Sequence, residues 1–225
     1  MWAEQVAFFA RNFTVLTPTL PGHHPQRQST FFTHAQAADA VAEETGLLES
    51  PHPVTVIGLS LGGQTAIQLA ASYPAHVERL VVVSSLLSPW HGATALSLLA
   101  AGSAPLSRSR RFAGAQAAQL GIPLAMFEDY YALARSMSAG TLRRLIHADL
   151  SFGVPPAVVG SSRPVLLMAG DREEPRLLRG MERHQSEFRN CTFQVHHGVG
   201  HGMPFTHPGR FNAALLQWLD PARSA

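Results

Sequence analysis

Three groups of residues, far apart in the chain, have the types and settings that nucleophilic catalysis requires. The first is Gly58-Leu59-Ser60-Leu61-Gly62, inside the stretch "VTVIGLSLGGQTAIQLAASYP". A serine hydroxyl is a poor nucleophile and must be exposed and oriented to react. A sharp turn from a buried strand into a helix achieves both, and glycines around it let the backbone fold tightly. The helix that follows aims free N–H groups at developing negative charge. The competing reading is a glycine-rich turn that cradles phosphate, but the G-K-[ST] ending of a P-loop is absent. The second group is His201 in "HHGVGHGMPF", where glycines at 198, 200 and 202 leave the imidazole on a pliable loop. His201 is the candidate base among the chain's twelve histidines. His196 and His197 read as strand or surface residues. His197 and His201 have a metal-ligand spacing but lack the helix and glutamate of an HExxH site, so no metal is expected. The third group is the carboxylates of "AGDREEP", namely Asp171, Glu173 and Glu174. A base of this kind needs one carboxylate to fix its tautomer and stabilise the imidazolium. The chain order is then serine, acid, histidine.

The surrounding pattern supplies elements to hold these groups. "PVTVIG" (53–58), "VERLVVVSS" (77–85) and "PVLLMAG" (164–170) are apolar runs without polar alternation, as strands buried on both faces read. "FTVLTP" (13–18) and "TFQVHHG" (192–198) are further strands. Helices are expected near the start (Trp2, Val6, Phe9 and Ala10 at helical spacing), at 33–48, 62–72, 175–188 and 208–219. "TLPGHHPQ" (19–26) reads as a loop. Buried strands alternating with helices predict an α/β fold with a mostly parallel sheet. Between 85 and 165 no strand pattern occurs, but helical patterns do, notably at 123–137 and 139–150. A structureless loop of that length is foreign to a compact domain, so residues 88–160 are expected to form an inserted helical cap on a core of 1–87 and 161–225. Trp90, Phe127, Tyr130 and Tyr131 are expected either to line a substrate pocket or to form the inside of that cap.

Composition narrows the partners. A 46% hydrophobic content with 14% charge suits one globular domain of 225 residues. The net charge is +2 and all 17 basic residues are arginine. The densest basic run, "SRSRR" (107–111), has no interleaved aromatics and reads as a solvated face, so no nucleic acid is expected. One cysteine, Cys191, allows no intramolecular disulfide, which fits a reducing compartment. The N-terminus has no signal-peptide pattern, and no run reaches the roughly 18 apolar residues of a membrane span. A cytoplasmic protein without membrane partners is expected.

Four segments together resemble a known family: "FTVLTPTLPGH", "VTVIGLSLGGQTAIQLAASYPAHVERLVVVSS", "PVLLMAGDREEP" and "GVGHGMPFTHPGRFNAALLQWL". The chain is similar to the α/β-hydrolases, of the capped esterase type, and with the linking helices the likeness covers most of the chain outside the cap. The resemblance implies that Ser60 is the nucleophile and His201 the base. It places the acid three residues past the strand-ending glycine, at Glu173, where aspartate is usual; Asp171 is the alternative. It implies two oxyanion donors, the backbone N–H of Leu61 and one from a His-Gly-type loop that precedes the first helix. The chain opens on what looks like that helix. The resemblance therefore implies an N-terminally truncated fold, with Met1 an internal methionine and the strand at 13–17 separated from that at 54–58 by a missing neighbour. The alternative is that 13–17 slides directly beside 54–58. The expected function is a cofactor-free serine hydrolase that cleaves a small-molecule carboxylic ester or thioester through an acyl-enzyme. The alternative is an inactive relative that binds a small ligand or partner.

Overall fold

The computed structural model describes residues 1–23 and 33–220. In chain order the elements are α1 (Ala3–Phe9), α2 (His34–Thr45), β1 (Val54–Leu59), α3 (Leu61–Ser72), β2 (Val77–Val83), α4 (Ala93–Ser103), α5 (Arg110–Gln119), α6 (Phe127–Ser136), α7 (Ala139–Ser151), α8 (Pro156–Val159), β3 (Val165–Gly170), α9 (Pro175–Glu187), β4 (Cys191–His196), α10 (Met203–Thr206) and α11 (Pro208–Leu219). The four strands form one parallel sheet in the order β1-β2-β3-β4. Between β2 and β3 the chain contributes helices only. The loop expected at 19–26 extends beyond residue 23, outside the described residues.

The alternation of strand side chains divides the core into two layers. On one face, Leu80, Val82, Val165, Leu167 and Ala169 meet Ala38 and Ala42 of α2, Ile67 and Ala70 of α3, and Met181 of α9. On the other, Val81, Val83, Leu166 and Met168 meet Phe9 of α1 and Phe211 and Leu215 of α11. The alanines let α2 and α3 approach closely, and each fully buried Leu or Ile contributes about 1.5–3 kcal/mol. The Gln5 amide ties α1 to the end of the chain, donating to Pro204 O at 2.9 Å and Asn212 Oδ1 at 3.2 Å. Gly46, at φ 61°, closes α2 in the left-handed conformation that a residue with a Cβ resists.

Two expectations fail at the sheet's first edge. Among the described residues β1 pairs with β2 alone, so its residues are mostly half-buried rather than covered on both faces. Residues 13–17 are not a strand and do not lie in register beside β1. β-branched composition permits extended backbone, but a strand also needs a ladder partner for its N–H and C=O groups. This segment is held by side chains instead. Val15 packs against the layer that includes Ile57 and Leu59, and the Phe13 ring meets Phe9 edge-on at 6.0 Å. Phe13 and Leu16 stay exposed.

Arg163 fastens the turn between α3 and β2. Its guanidinium donates to Val77 O at 2.6 Å and Pro74 O at 2.8 Å, with a longer bond to Ala70 O at 3.4 Å. Arg163→Ala leaves these carbonyls without their charged donor. The expected cost is about 2 kcal/mol, read as a lower urea midpoint at unchanged slope.

Candidate active site

In a parallel sheet the carboxyl ends of the strands form the edge where sites assemble. Ser60 follows β1, Ser84 and Ser85 follow β2, Glu173 lies beyond β3, and His201 lies beyond β4. The sheet thus brings segments that run from residue 60 to residue 201 to one rim.

Ser60 sits at φ 55°, ψ −123°, a conformation that non-glycine residues rarely adopt. It is held there by its neighbours. Its N–H donates to Val83 O at 2.9 Å, and its carbonyl accepts from Gly63 N at 2.9 Å, Gln64 N at 3.2 Å and the Ser85 hydroxyl at 2.9 Å. A strained residue braced on all sides is typical of functional positions. Leu61 begins α3, so its N–H has no intrahelical acceptor and lies at the positive end of the helix.

The glycines matter unequally. A Cβ on Gly58 would lie 2.1 Å from Gly62 O and 2.5 Å from Gly63 N. A Cβ on Gly63 would lie 2.1 Å from Ser85 Oγ. A Cβ on Gly62 would meet nothing within 4 Å. The turn therefore requires bare backbone at Gly58 and Gly63, and Gly62 serves only as the surface that Gly58 approaches. Gly58→Ala and Gly63→Ala should unfold or distort the chain. Gly62→Ala should fold at least as well as wild type, gaining up to about 1 kcal/mol from helix propensity. Thermal melts of the three variants check this.

His201 is brought to Glu173. Its Nδ1–H donates to Glu173 Oε2 at 3.1 Å, with the Glu173 side chain 3% and the imidazole 21% exposed. The other carboxylate oxygen, Oε1, has no partner among the described residues. The histidine loop docks so closely on β3 that a Cβ on Gly170 would come within 2.0 Å of Val199 O. Arg172 N donates to that same carbonyl at 3.0 Å. On the far side, Gly202 approaches Gly121 of the helical insertion, where a Cβ would lie 2.6 Å from Gly121 O. Two glycine contacts, one on each side, thus clasp the segment that carries His201.

Asp171 and Glu174 lie elsewhere. Asp171 accepts from Gly198 N at 2.7 Å and pairs with exposed His197. Partial desolvation works against its charge, but the Gly198 N–H and the His197 ring hold its carboxyl below the usual aspartate range. Asp171 thus fastens the start of the loop whose later residue is His201. Glu174 caps α9, accepting from Arg176 N and Leu177 N.

Sequence reading missed three further groups at this rim. Ser85 braces the Ser60 carbonyl. Gln64 is fully buried and reaches the helical insertion through its amide, which donates to Leu86 O at 2.8 Å and Asp149 O at 3.0 Å. Asp149, on the last turn of α7, has its carboxyl pushed up to about 6 by burial, partly offset by the nearby His201 charge and by Gln64. No sequence motif links residues so far apart.

Several aromatic residues of the insertion contact one another and arginines. Phe127 and Tyr131 stack at 6.0 Å, with the Arg110 guanidinium over both rings at 5.2 and 5.1 Å and paired to Glu128. Phe127 also borders an apolar cavity of about 330 Å³ with Arg110, Arg111, Ala117, Ile122 and Leu124, which includes neither Ser60 nor His201. Trp90 lies 4.2 Å beneath the Arg176 guanidinium. Tyr130 is half-buried, which raises its hydroxyl pKa. Among the described residues, no helix is long and apolar enough to cross a membrane.

Known proteins share this arrangement of strands. Residues 1–214 match the model of the alpha/beta hydrolase family. An esterase from Thermogutta terrifontis superposes with a TM-score of 0.81 at 19% identity, covering 98% of this chain and 84% of that one. The enol-lactonase of Burkholderia xenovorans gives 0.81 at 17% identity, covering 97% and 85%. Among curated proteins, the pimeloyl-[acyl-carrier protein] methyl ester esterase of Nitrosomonas europaea is 33% identical over 85 residues. That stretch is 38% of this chain and 32% of the relative, so the match spans about a third of that protein's length. With the family model matched over nearly its whole length and the parallel sheet in place, the chain belongs to the alpha/beta hydrolase family.

Proposed function

We propose that this chain is a serine hydrolase acting on a small-molecule carboxylic ester or thioester through an acyl-enzyme. The observation that carries the reading is the buried Glu173 carboxylate held 3.1 Å from His201 Nδ1 at the same rim as strained Ser60. With Nδ1 bonded to Glu173, His201 presents Nε2 as the nitrogen able to accept a proton. Ser60 Oγ attacks the carbonyl carbon as its proton passes to His201. Charge developing on the carbonyl oxygen falls at the N-terminus of α3, where the Leu61 N–H is available. The imidazolium, stabilised by Glu173, then gives its proton to the departing alkoxide or thiolate. Water, deprotonated by His201, releases the acid and restores Ser60. The methyl ester named for the Nitrosomonas europaea relative is of this chemical class, and the matched portion of that esterase supports the same reaction type.

The test is hydrolysis of short activated esters and thioesters by the purified chain, against Ser60→Ala. Turnover that disappears in the variant supports the reading. A cooperatively folded chain without turnover above the variant overturns it and favours a relative that binds without cleaving.

A further inference from the structure

The cavity of about 330 Å³ beside α5 is separate from the rim that holds Ser60 and His201. Gly121 packs on Gly202 of the histidine loop, and the next residue, Ile122, lines the cavity. The volume lies at the lower end of small-molecule sites. One side of the cavity is the face of α5 that carries Gly114, Ala117 and Ala118, which helical spacing aligns. The other is Ile122, Leu124 and Phe127. Two observations distinguish it from a packing defect. Gly114 lies inside α5, where glycine weakens a helix relative to alanine. Nothing around it demands a bare backbone, because an added Cβ would meet Phe127 Cε2 only at 4.0 Å, an ordinary contact. What the missing side chain keeps open is the space between α5 and Phe127. Leu124 supplies the second observation. It lines the cavity yet is 92% exposed, the most exposed large apolar side chain among the described residues.

The charge at the cavity is positive. Its lining includes no carboxylate and two arginines from the first turn of α5. They are not equivalent. The Arg110 guanidinium donates to both Glu128 oxygens, at 2.9 and 2.5 Å, and lies over the Phe127 and Tyr131 rings. It ties α5 to α6 and its charge is already met. Arg111 is exposed and has no ion-pair partner among the described residues. An apolar hollow thus ends at one uncommitted guanidinium.

We propose that this cavity is a second binding site, for an amphiphile with one short aliphatic chain and an anionic head. The chain lies between the small residues of α5 and Phe127, where covering Leu124 and Ile122 removes apolar surface from water. The carboxylate pairs with Arg111, whose planar fork matches its two oxygens. The chain supplies most of the affinity and the arginine selects the charge. Binding there needs neither Ser60 nor His201, so the site stands whether or not the chain is a hydrolase.

The test is calorimetric titration of the full chain with octanoate and with 1-octanol, for wild type, Arg111→Gln and Gly114→Leu. Wild type should bind both, octanoate about fivefold more tightly, the upper range for one exposed ion pair. Raising the salt should shrink that preference. Arg111→Gln should abolish the preference and leave octanol binding unchanged. Gly114→Leu fills the hollow from α5 and should weaken both ligands by about tenfold or more. Its Tm should not fall, since leucine is the better helix former and projects into open space. If Gly114→Leu fails to fold, Arg111→Gln decides alone through the octanoate-to-octanol ratio, because an exposed arginine can be replaced without loss of packing. Octanoate that binds all three proteins equally is held elsewhere, the Ser60 rim included, and overturns the proposal. A wild type that binds neither ligand overturns it too.

Discussion

Ser60→Ala should lower kcat on an activated ester by about 10⁶-fold, to the residue of catalysis that binding and dipoles provide. The size follows from the covalent route. Without Oγ there is no acyl-enzyme, and His201 and Glu173 have no nucleophile to activate. The loss should therefore match that of His201→Ala, and the double variant should be no worse than either, because groups that act as a unit are not additive. The variant should fold well. Ser60 contributes backbone bonds to Val83, Gly63, Gln64 and Ser85, and alanine retains every one. Steady-state rates on one ester for the three variants check the prediction. Additive losses would show that Ser60 and His201 act separately.

Glu173→Gln should lower kcat by about 10⁴-fold with little change in KM, while Asp171→Asn should cost less than about tenfold. Both residues follow β3, and only their contacts separate them. Glu173 is buried against His201 Nδ1, so its amide would remove the charge opposing the imidazolium and could reverse the tautomer. Asp171 binds Gly198 N and His197, three and four residues before His201 in the loop, and fixes its path rather than its proton. The measurement is kcat and KM for both variants on a neutral ester. The reverse ranking would make Asp171 the orienting acid.

Much of the fold was legible because burial writes itself into composition. β3 is apolar throughout, and β2 from Leu80 on, since both faces are covered there, and α11 matches its expected range because Pro208 and an apolar stripe mark its span. The same logic misled at the sheet's edge. The run at 53–58 reads as covered on both faces, yet among the described residues only one side of β1 has a strand beside it, and that depends on neighbours the local pattern does not encode. Residues 13–17 show the converse, with strand composition but no ladder. In the candidate site, Ser60 was legible through its glycines, though the structure shifts the steric need from Gly62 to Gly63. Glu173 was legible by its distance from Gly170 in the resembling family. Gln64 and Asp149 were not, because their meeting depends on how α7 docks, which residue spacing does not record.

The most direct measurement is the mass of the folded chain after exposure to a fluorophosphonate, followed by mapping of the adduct. This reagent phosphonylates a serine only where a base and an electrophilic pocket activate it. The account predicts one adduct per chain, on Ser60, absent in Ser60→Ala and strongly slowed in Glu173→Gln. A well-folded chain that remains unlabelled, or that is labelled equally in Ser60→Ala, would contradict it.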